Sequence, residues 1–155
     1  MILLDINLGS LSGTDGLEIA ANLRQSYPAA KLVILTGHDL PVYRHKAKKI
    51  DVNGFLSKSI SPDDLIASLA RIYHGNTCFP TEKKELIIED LTAMEKTALQ
   101  QLSTGKKGKT IADELYISER TLSNHLQHIF EKLGVSSAVE AVTKAIQLGY
   151  IPPLC

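Results

Sequence analysis

Gly105-Lys-Lys-Gly-Lys-Thr-Ile-Ala-Asp-Glu-Leu-Tyr-Ile-Ser-Glu-Arg-Thr-Leu-Ser-Asn-His-Leu-Gln-His-Ile-Phe-Glu-Lys-Leu-Gly134 is the stretch that decides how this chain is read. A short helix is expected from about Lys109 to Leu115, with a tight break at Tyr116 and Ile117. Ser118 stands where an N-cap belongs, because its hydroxyl accepts from the free N–H groups that open a helix. That helix runs to Leu133, and Gly134 suits the left-handed residue that closes it. Two helices joined by about three residues form a helix-turn-helix pattern. In the second helix Leu122, Leu126, Ile129, Phe130 and Leu133 fall within an arc of roughly 100°. Arg120, Ser123, Asn124, Gln127 and Glu131 lie opposite. Serine, asparagine and glutamine both donate and accept, and arginine reaches guanine or phosphate. A helix docked by its apolar side and offering such groups fits a major groove. Amphipathicity alone would favour an ordinary solvated helix; the tight turn and the preceding helix tip the reading toward DNA.

Leu91-Thr92, Glu95, Gly105, Lys109, Ile111-Ala112, Leu115, Ile117-Ser118, Thr121, His125, Ile129-Phe130, Lys132-Leu133-Gly134-Val135 and Glu140-Ala141 together resemble the LuxR-type helix-turn-helix of NarL/FixJ response regulators. The resemblance spans Leu91 to Ile151. One position departs from it: Ser123 stands where the family usually has lysine. The expected DNA contacts are Thr121, Ser123, Asn124 and Gln127 toward base edges or backbone. Lys107, Lys109, Arg120 and Lys132 are expected on phosphates.

Composition bounds the rest. A chain of 155 residues makes one large domain or two small ones, and 44% apolar with 22% charged residues excludes a disordered chain. No apolar run approaches the roughly 20 residues of a membrane span. The opening Met-Ile-Leu-Leu-Asp is too short and too soon acidic for a signal peptide. Cys78 and Cys155 lack metal-ligand spacing and read as free thiols of a reducing cytosol, with a Cys78–Cys155 disulfide as the disfavoured alternative. The five histidines read as structural or solvated. Lysine plus arginine equal aspartate plus glutamate at 17 each, and the half after Pro80 holds nine basic against ten acidic residues. Attraction to phosphate must therefore be local, from Lys106, Lys107, Lys109, Arg120 and Lys132.

The N-terminal half alternates. Ile2-Leu3-Leu4 reads as a buried parallel strand ending at Asp5. Gly9 to Gly16 reads as a polar loop, and Leu17 to about Tyr27 as a helix. Leu32 to Gly37 is a second strand, Pro41 to Ile50 a basic helix, and Gly54 to Lys58 a third strand. Ser61-Pro62-Asp63-Asp64 opens a helix that reaches about His74. Strand–helix alternation implies right-handed parallel crossovers, with a site at the C-terminal ends of the strands. Asp5, Thr36 and Lys58 should converge there. A carboxylate takes a phosphoryl group as nucleophile, and a hydroxyl and an ammonium hold its oxygens. On spacing alone, three unrelated strand-end residues fit equally well. Further on, Thr92–Glu95 and Ser137–Glu140 each read as a capping box. The last helix carries small residues that suit dimerisation or simple closure of a four-helix core.

Asp5, Thr36, Phe55 and Lys58 also resemble the phospho-acceptor, switch hydroxyl, switch aromatic and lysine of a response-regulator receiver. The Asp5–Thr36 interval is longer than the family usually shows, and Ser59 follows Lys58 where the family has proline. The strands that precede the Asp5 strand in a whole receiver, with their paired Mg²⁺-binding acids, have no counterpart here. The expected fold is α/β followed by all-α. Residues 1–76 form a partial doubly wound, flavodoxin-like receiver of three parallel strands, 77–90 a linker, and 91–155 a four-helix LuxR-type helix-turn-helix domain. Asp5 is expected to be a Mg²⁺ ligand only if the missing acid pair comes from elsewhere; no other cofactor or metal is expected. The Asp5 strand is expected to be an apolar edge that invites pairing with another chain.

The expected function follows: a DNA-binding transcriptional regulator, not an enzyme, with phosphorylation control impaired. Its expected partners are double-stranded DNA, a second copy of itself and a sensor histidine kinase, in the cytoplasm and away from membranes. Two alternatives stay open: an interaction protein that dimerises with full-length regulators, and a phospho-receiver completed in trans.

Overall fold

A computed structural model of the chain describes residues 1–7, 15–81 and 88–153. The chain divides into two compact units, Met1–Leu86 and Ile87–Cys155.

The first unit runs β1 (Ile2–Leu4), α1 (Gly16–Ser26), β2 (Leu32–Thr36), α2 (Pro41–Lys49), β3 (Gly54–Ser57) and α3 (Pro62–Tyr73). The three strands are parallel in the order β1-β2-β3, with Leu3 beside Val33 and Ile34 beside Phe55. Side chains alternate across the sheet, so each strand feeds two cores. Leu32, Ile34 and Phe55 join Leu17, Ala20, Ala47 and Val52 on the side covered by α1 and α2. Val33 and Leu56 join Ile72 of α3 and Cys78 on the other. The near-continuous apolar strands are legible for this reason: both faces are buried.

β1 is paired on one side among the described residues. The Ile2 N–H donates to Lys31 O at 2.8 Å, so alternation turns the Leu3 N–H and C=O away from β2. The Leu3 side chain is 45% exposed. The other margin is occupied differently from expectation. Cys78, read as linker, forms a parallel bridge beside Gly54: Phe55 N donates to Cys78 O at 2.8 Å, and Cys78 N to Asn53 O at 3.0 Å. The segment after α3 therefore begins as part of the first unit. Cys78 is a free, buried thiol, and Cys155 lies outside the described residues, as does most of the Gly9–Gly16 loop, residues 8–14.

Arg24 ties the α1 end of this unit together. One guanidinium nitrogen donates to Pro28 O and Ala30 O at 2.7 and 2.9 Å. Another donates to Asp51 O and Asn53 Oδ1 at 2.6 and 3.1 Å. Asp51 takes a left-handed turn with φ of 60°, and Asn53 Oδ1 also accepts from the Leu32 N–H at 2.9 Å. One arginine thus closes two loops onto the start of the central strand.

The second unit holds α4 (Ala93–Ser103), α5 (Gly108–Glu114), α6 (Glu119–Leu133) and α7 (Ala138–Leu148). α4 packs on α5, α6 and α7, and α6 on α5 and α7. The Thr92–Glu95 capping box is formed in both directions. The one expected at Ser137 is half right. Ser137 Oγ accepts from Glu140 N at 3.3 Å, but the Glu140 carboxylate reaches one residue further back, to Ser136 N at 2.9 Å and Ser136 Oγ at 3.2 Å. A second serine upstream offers it two donors where the cap residue offers one.

Arg24→Met should lower the stability of the first unit by about 1–3 kcal/mol, the scale of hydrogen bonds to a charged group. Urea unfolding followed by circular dichroism reads this directly, and an unshifted first transition would remove Arg24 as the loop clamp.

Candidate functional site

Two places carry functional side chains, one in each unit. The first is the C-terminal mouth of the sheet. Lys58 Nζ donates to Asp5 Oδ2 at 2.5 Å, and the Asn7 N–H donates to Asp5 Oδ1 at 3.3 Å. The Lys58 hydrogen bond is the main cause that lowers the Asp5 pKa below its ordinary value, against a weaker opposing push from burial. Asp5 is thus a carboxylate at neutral pH, presented beside an ammonium. Gly16 sets its backbone: a Cβ there would stand 1.8 Å from the Asp5 carbonyl oxygen, so this position at the start of α1 accepts no side chain.

Thr36 and Phe55 do not join the pair. The Thr36 side chain is fully buried, and its hydroxyl accepts from the His38 N–H at 3.1 Å. Its carbonyl accepts from the Lys58 N–H at 2.8 Å, so Thr36 supports the lysine through the main chain. Phe55 lies wholly inside the core shared with α1 and α2. Sequence reading missed Asn7, whose side-chain amide lies 3.3 Å from His38 Nδ1 across the mouth.

The described side chains at this mouth do not make up a Mg²⁺ donor set. That ion takes oxygen ligands in near-octahedral geometry. Asp5 already faces an ammonium, and no group of three metal-ligating side chains occurs among the described residues. Two other loop acids are engaged elsewhere: Asp15 Oδ1 caps α1 through Leu17 N at 2.5 Å, and Asp39 faces Arg44 Nε at 2.7 Å.

The second place is α5–turn–α6. Ile117 N donates to Ala112 O at 3.0 Å, closing the turn, and Tyr116 takes a positive φ of 54° with 96% of its surface exposed. Ser118 Oγ accepts from Thr121 N at 3.1 Å, and Gly134 ends the helix with φ of 60°. α6 buries Leu122, Ile129 and Leu133. Arg120, Thr121, Ser123, Asn124 and Gln127 are exposed.

Their polar groups differ in how committed they are. Ser123 Oγ donates back to Glu119 O at 2.9 Å and keeps its lone pairs for an incoming donor. Gln127 Nε2 donates to Glu131 Oε1 at 3.0 Å. Asn124 has no hydrogen-bond partner among the described residues. Lys107, Lys109 and Arg120 likewise present uncommitted charges there. Two cations counted toward the basic patch are engaged. Lys106 binds Gln101 at 2.9 Å and both Glu114 oxygens at 2.8 and 2.7 Å. Lys132 turns inward to Glu95 Oε2 at 2.7 Å and Asp90 O at 3.2 Å, because its long stem carries the ammonium off the face on which its Cα sits.

Residues 1–70 match the response regulator receiver domain, and residues 89–145 match the LuxR family of bacterial regulatory proteins. The transcriptional regulatory protein DesR of Bacillus subtilis is 32% identical over 143 residues, covering 90% of this chain and 71% of that protein. The nitrate/nitrite response regulator protein homolog of Haemophilus influenzae is 33% identical over 150 residues, covering 91% and 71%. Among solved structures, RcsB of Salmonella enterica serovar Typhimurium bound to a promoter superposes with a TM-score of 0.59 at 22% identity, over 92% of this chain and 72% of that one; the likeness is one of fold.

Lys58→Met should raise the Asp5 pKa toward its ordinary value, since the donated hydrogen bond is the largest cause of its lowering. In the wild type Asp5 favours folding above the ordinary carboxylate value. That contribution disappears as pH falls through the lower folded value. Carboxyl-carbon NMR titration of both proteins gives the comparison, and identical Asp5 titrations would dismiss the pair as inconsequential.

Proposed function

The chain belongs to the LuxR family of DNA-binding response regulators, and on that premise we propose that it regulates transcription by laying α6 in the major groove of double-stranded DNA. The observation that carries this is the state of the α6 surface. Asn124 stands exposed with its amide uncommitted, flanked by Thr121, Ser123 and Gln127, and asparagine pairs two-pronged with adenine. Arg120 reaches a base edge or a phosphate, and Lys107 and Lys109 contact phosphates. Ser123 in place of a long cation shifts that position from charge to hydrogen-bond readout.

Asp5 is the phospho-acceptor in this reading, with Lys58 as the cation that meets the phosphoryl oxygens. A sensor histidine kinase is the upstream partner. Phosphorylation control is reduced in this reading, and the chain works in the cytoplasm as a homodimer. The described helices are too short or too polar to cross a membrane.

A second reading rests on the open side of β1. Leu3 is 45% exposed and its main-chain groups point away from β2, and such an edge templates an added strand. Pairing there joins this chain to another copy or to a longer regulator.

Lys109→Ala should weaken binding to every duplex and reduce the slope of log affinity against log salt by about 0.9. Asn124→Ala should instead change which sequences are enriched from a random pool; equal losses on all sequences would exclude base readout by Asn124. For the edge, sedimentation velocity should show concentration-dependent association that Leu3→Lys abolishes, and a wild-type monomer at every concentration would end that reading.

A further inference from the structure

Lys132 lies one residue before the end of α6. Its ammonium meets Glu95 Oε2 at 2.7 Å and Asp90 O at 3.2 Å. Glu95 is 3% exposed, and the same oxygen accepts from the Thr92 N–H at 2.8 Å. For Lys132 to reach a phosphate, this pair must break and leave a buried carboxylate without its cation, an unfavourable exchange. The segment it grips is the one that leads into α4. That segment is held from a second direction as well, since the Tyr150 hydroxyl donates to Glu89 O.

We propose that Lys132 is a positioning residue for DNA reading: it bolts the last turn of α6 to residues 90–95 and so sets the angle at which Asn124 and its neighbours meet the groove. At its N-terminal end α6 is fixed by the short turn from α5, through Ile117 N to Ala112 O. Along its length apolar contacts from Leu122 and Ile129 hold it against the core, and such contacts tolerate small tilts. Lys132 supplies the directional bond at the far end. Asn124 lies eight positions earlier, about 12 Å along the axis, so a change of tilt there moves the reading side chains. The proposal rests on α6 as the reading helix.

The test uses the full chain. The wild type first enriches a duplex from a random pool, and a scrambled duplex of equal length serves as reference. Binding is followed by fluorescence anisotropy across a salt series for wild type, Lys132→Met, Lys132→Arg and Glu95→Gln. Glu95→Gln keeps an acceptor for the Thr92 N–H while removing the charge, and it alters no group on the DNA side. Lys132→Met and Glu95→Gln should each lose about tenfold on the enriched duplex, the scale of one base contact. They should lose far less on the scrambled one, with salt slopes unchanged. Lys132→Arg should restore most of the preference. Should Lys132→Met not fold, Glu95→Gln decides alone. A salt slope reduced by about 0.9 in Lys132→Met, with Glu95→Gln behaving as wild type, would make Lys132 a phosphate contact and overturn the proposal. Wild-type behaviour of both variants would overturn it too, while leaving the reading helix in place. Failure of the wild type to enrich any sequence would overturn the reading helix itself.

Discussion

Glu95 is a carboxylate buried at the N-terminus of α4, and the second unit is arranged around meeting its charge. Burial pushes its pKa up; the hydrogen bonds from Lys132 and Thr92 outweigh this, and the net shift is downward. The group is therefore ionised where it is largely shielded from water. Removing one partner of such a pair typically destabilises a protein by about 3 kcal/mol or more. Thr92 and Glu95 are three residues apart, so half of this arrangement is local and forms with the helix itself. Lys132 is 37 positions away from Glu95 and arrives only when α6 docks on α4. The pair thus links a local cap to the tertiary placement of α6, the helix proposed to read DNA. The neighbouring Tyr150 phenol is pushed up to about 12 by burial and by the charges of Asp90 and Glu89, so it stays a hydrogen-bond donor to the same segment across the physiological range.

The first unit handles its functional carboxylate in the opposite way. Asp5 and Lys58 form a slightly closer pair, at 2.5 Å against 2.7 Å, but the lysine side chain is about half exposed. Water screens the pair, and exposed ion pairs contribute little to stability. Asp5 is held in place by its backbone instead, through the close approach of Gly16 and the donated Asn7 N–H. A charge kept available at a strand mouth suits chemistry. A charge sealed under a helix suits geometry. The two ion pairs look alike in distance and differ in what surrounds them.

The sequence carried the elements and the helix-turn-helix because those depend on short-range physics. Apolar runs marked strands buried on both faces, Ser61, Thr92 and Ser118 marked helix starts, and Gly134 marked an end because it accepts the left-handed conformation that other residues avoid. Reach was harder to read. A helical wheel places the Cα of Lys132 but says nothing of where a four-carbon stem delivers its ammonium, so its contact with Glu95 was not legible in the sequence. The same holds for Lys106, which folds back on Glu114. Thr36 was legible as a strand-end hydroxyl, while its bond to the His38 N–H depends on how the chain turns after β2. Arg24 gave no signal at all, because three of its four acceptors are main-chain carbonyls, which every residue has, and the fourth is the Asn53 side chain 29 positions away.

Under the proposed reading, these two engaged lysines bear on how the chain would hold DNA. With Lys106 and Lys132 engaged, Lys107, Lys109 and Arg120 are the uncommitted cations of α5 and α6 that the proposed reading assigns to phosphates. Three phosphate contacts give a salt slope of about −2.7 per copy, far from the slopes near −10 of strong operator binders. Affinity on that scale does not select one site from a genome on electrostatics alone. Two copies on adjacent half-sites would double the slope, and binding of the second copy would become intramolecular. The neutral balance of charge in this half of the chain thus argues for paired binding as strongly as any surface feature does. It moves discrimination onto uncharged hydrogen-bonding groups such as Asn124, Ser123 and Thr121, whose contribution depends on orientation. A reader that relies on oriented amides and hydroxyls needs its helix fixed more firmly than one that relies on charge.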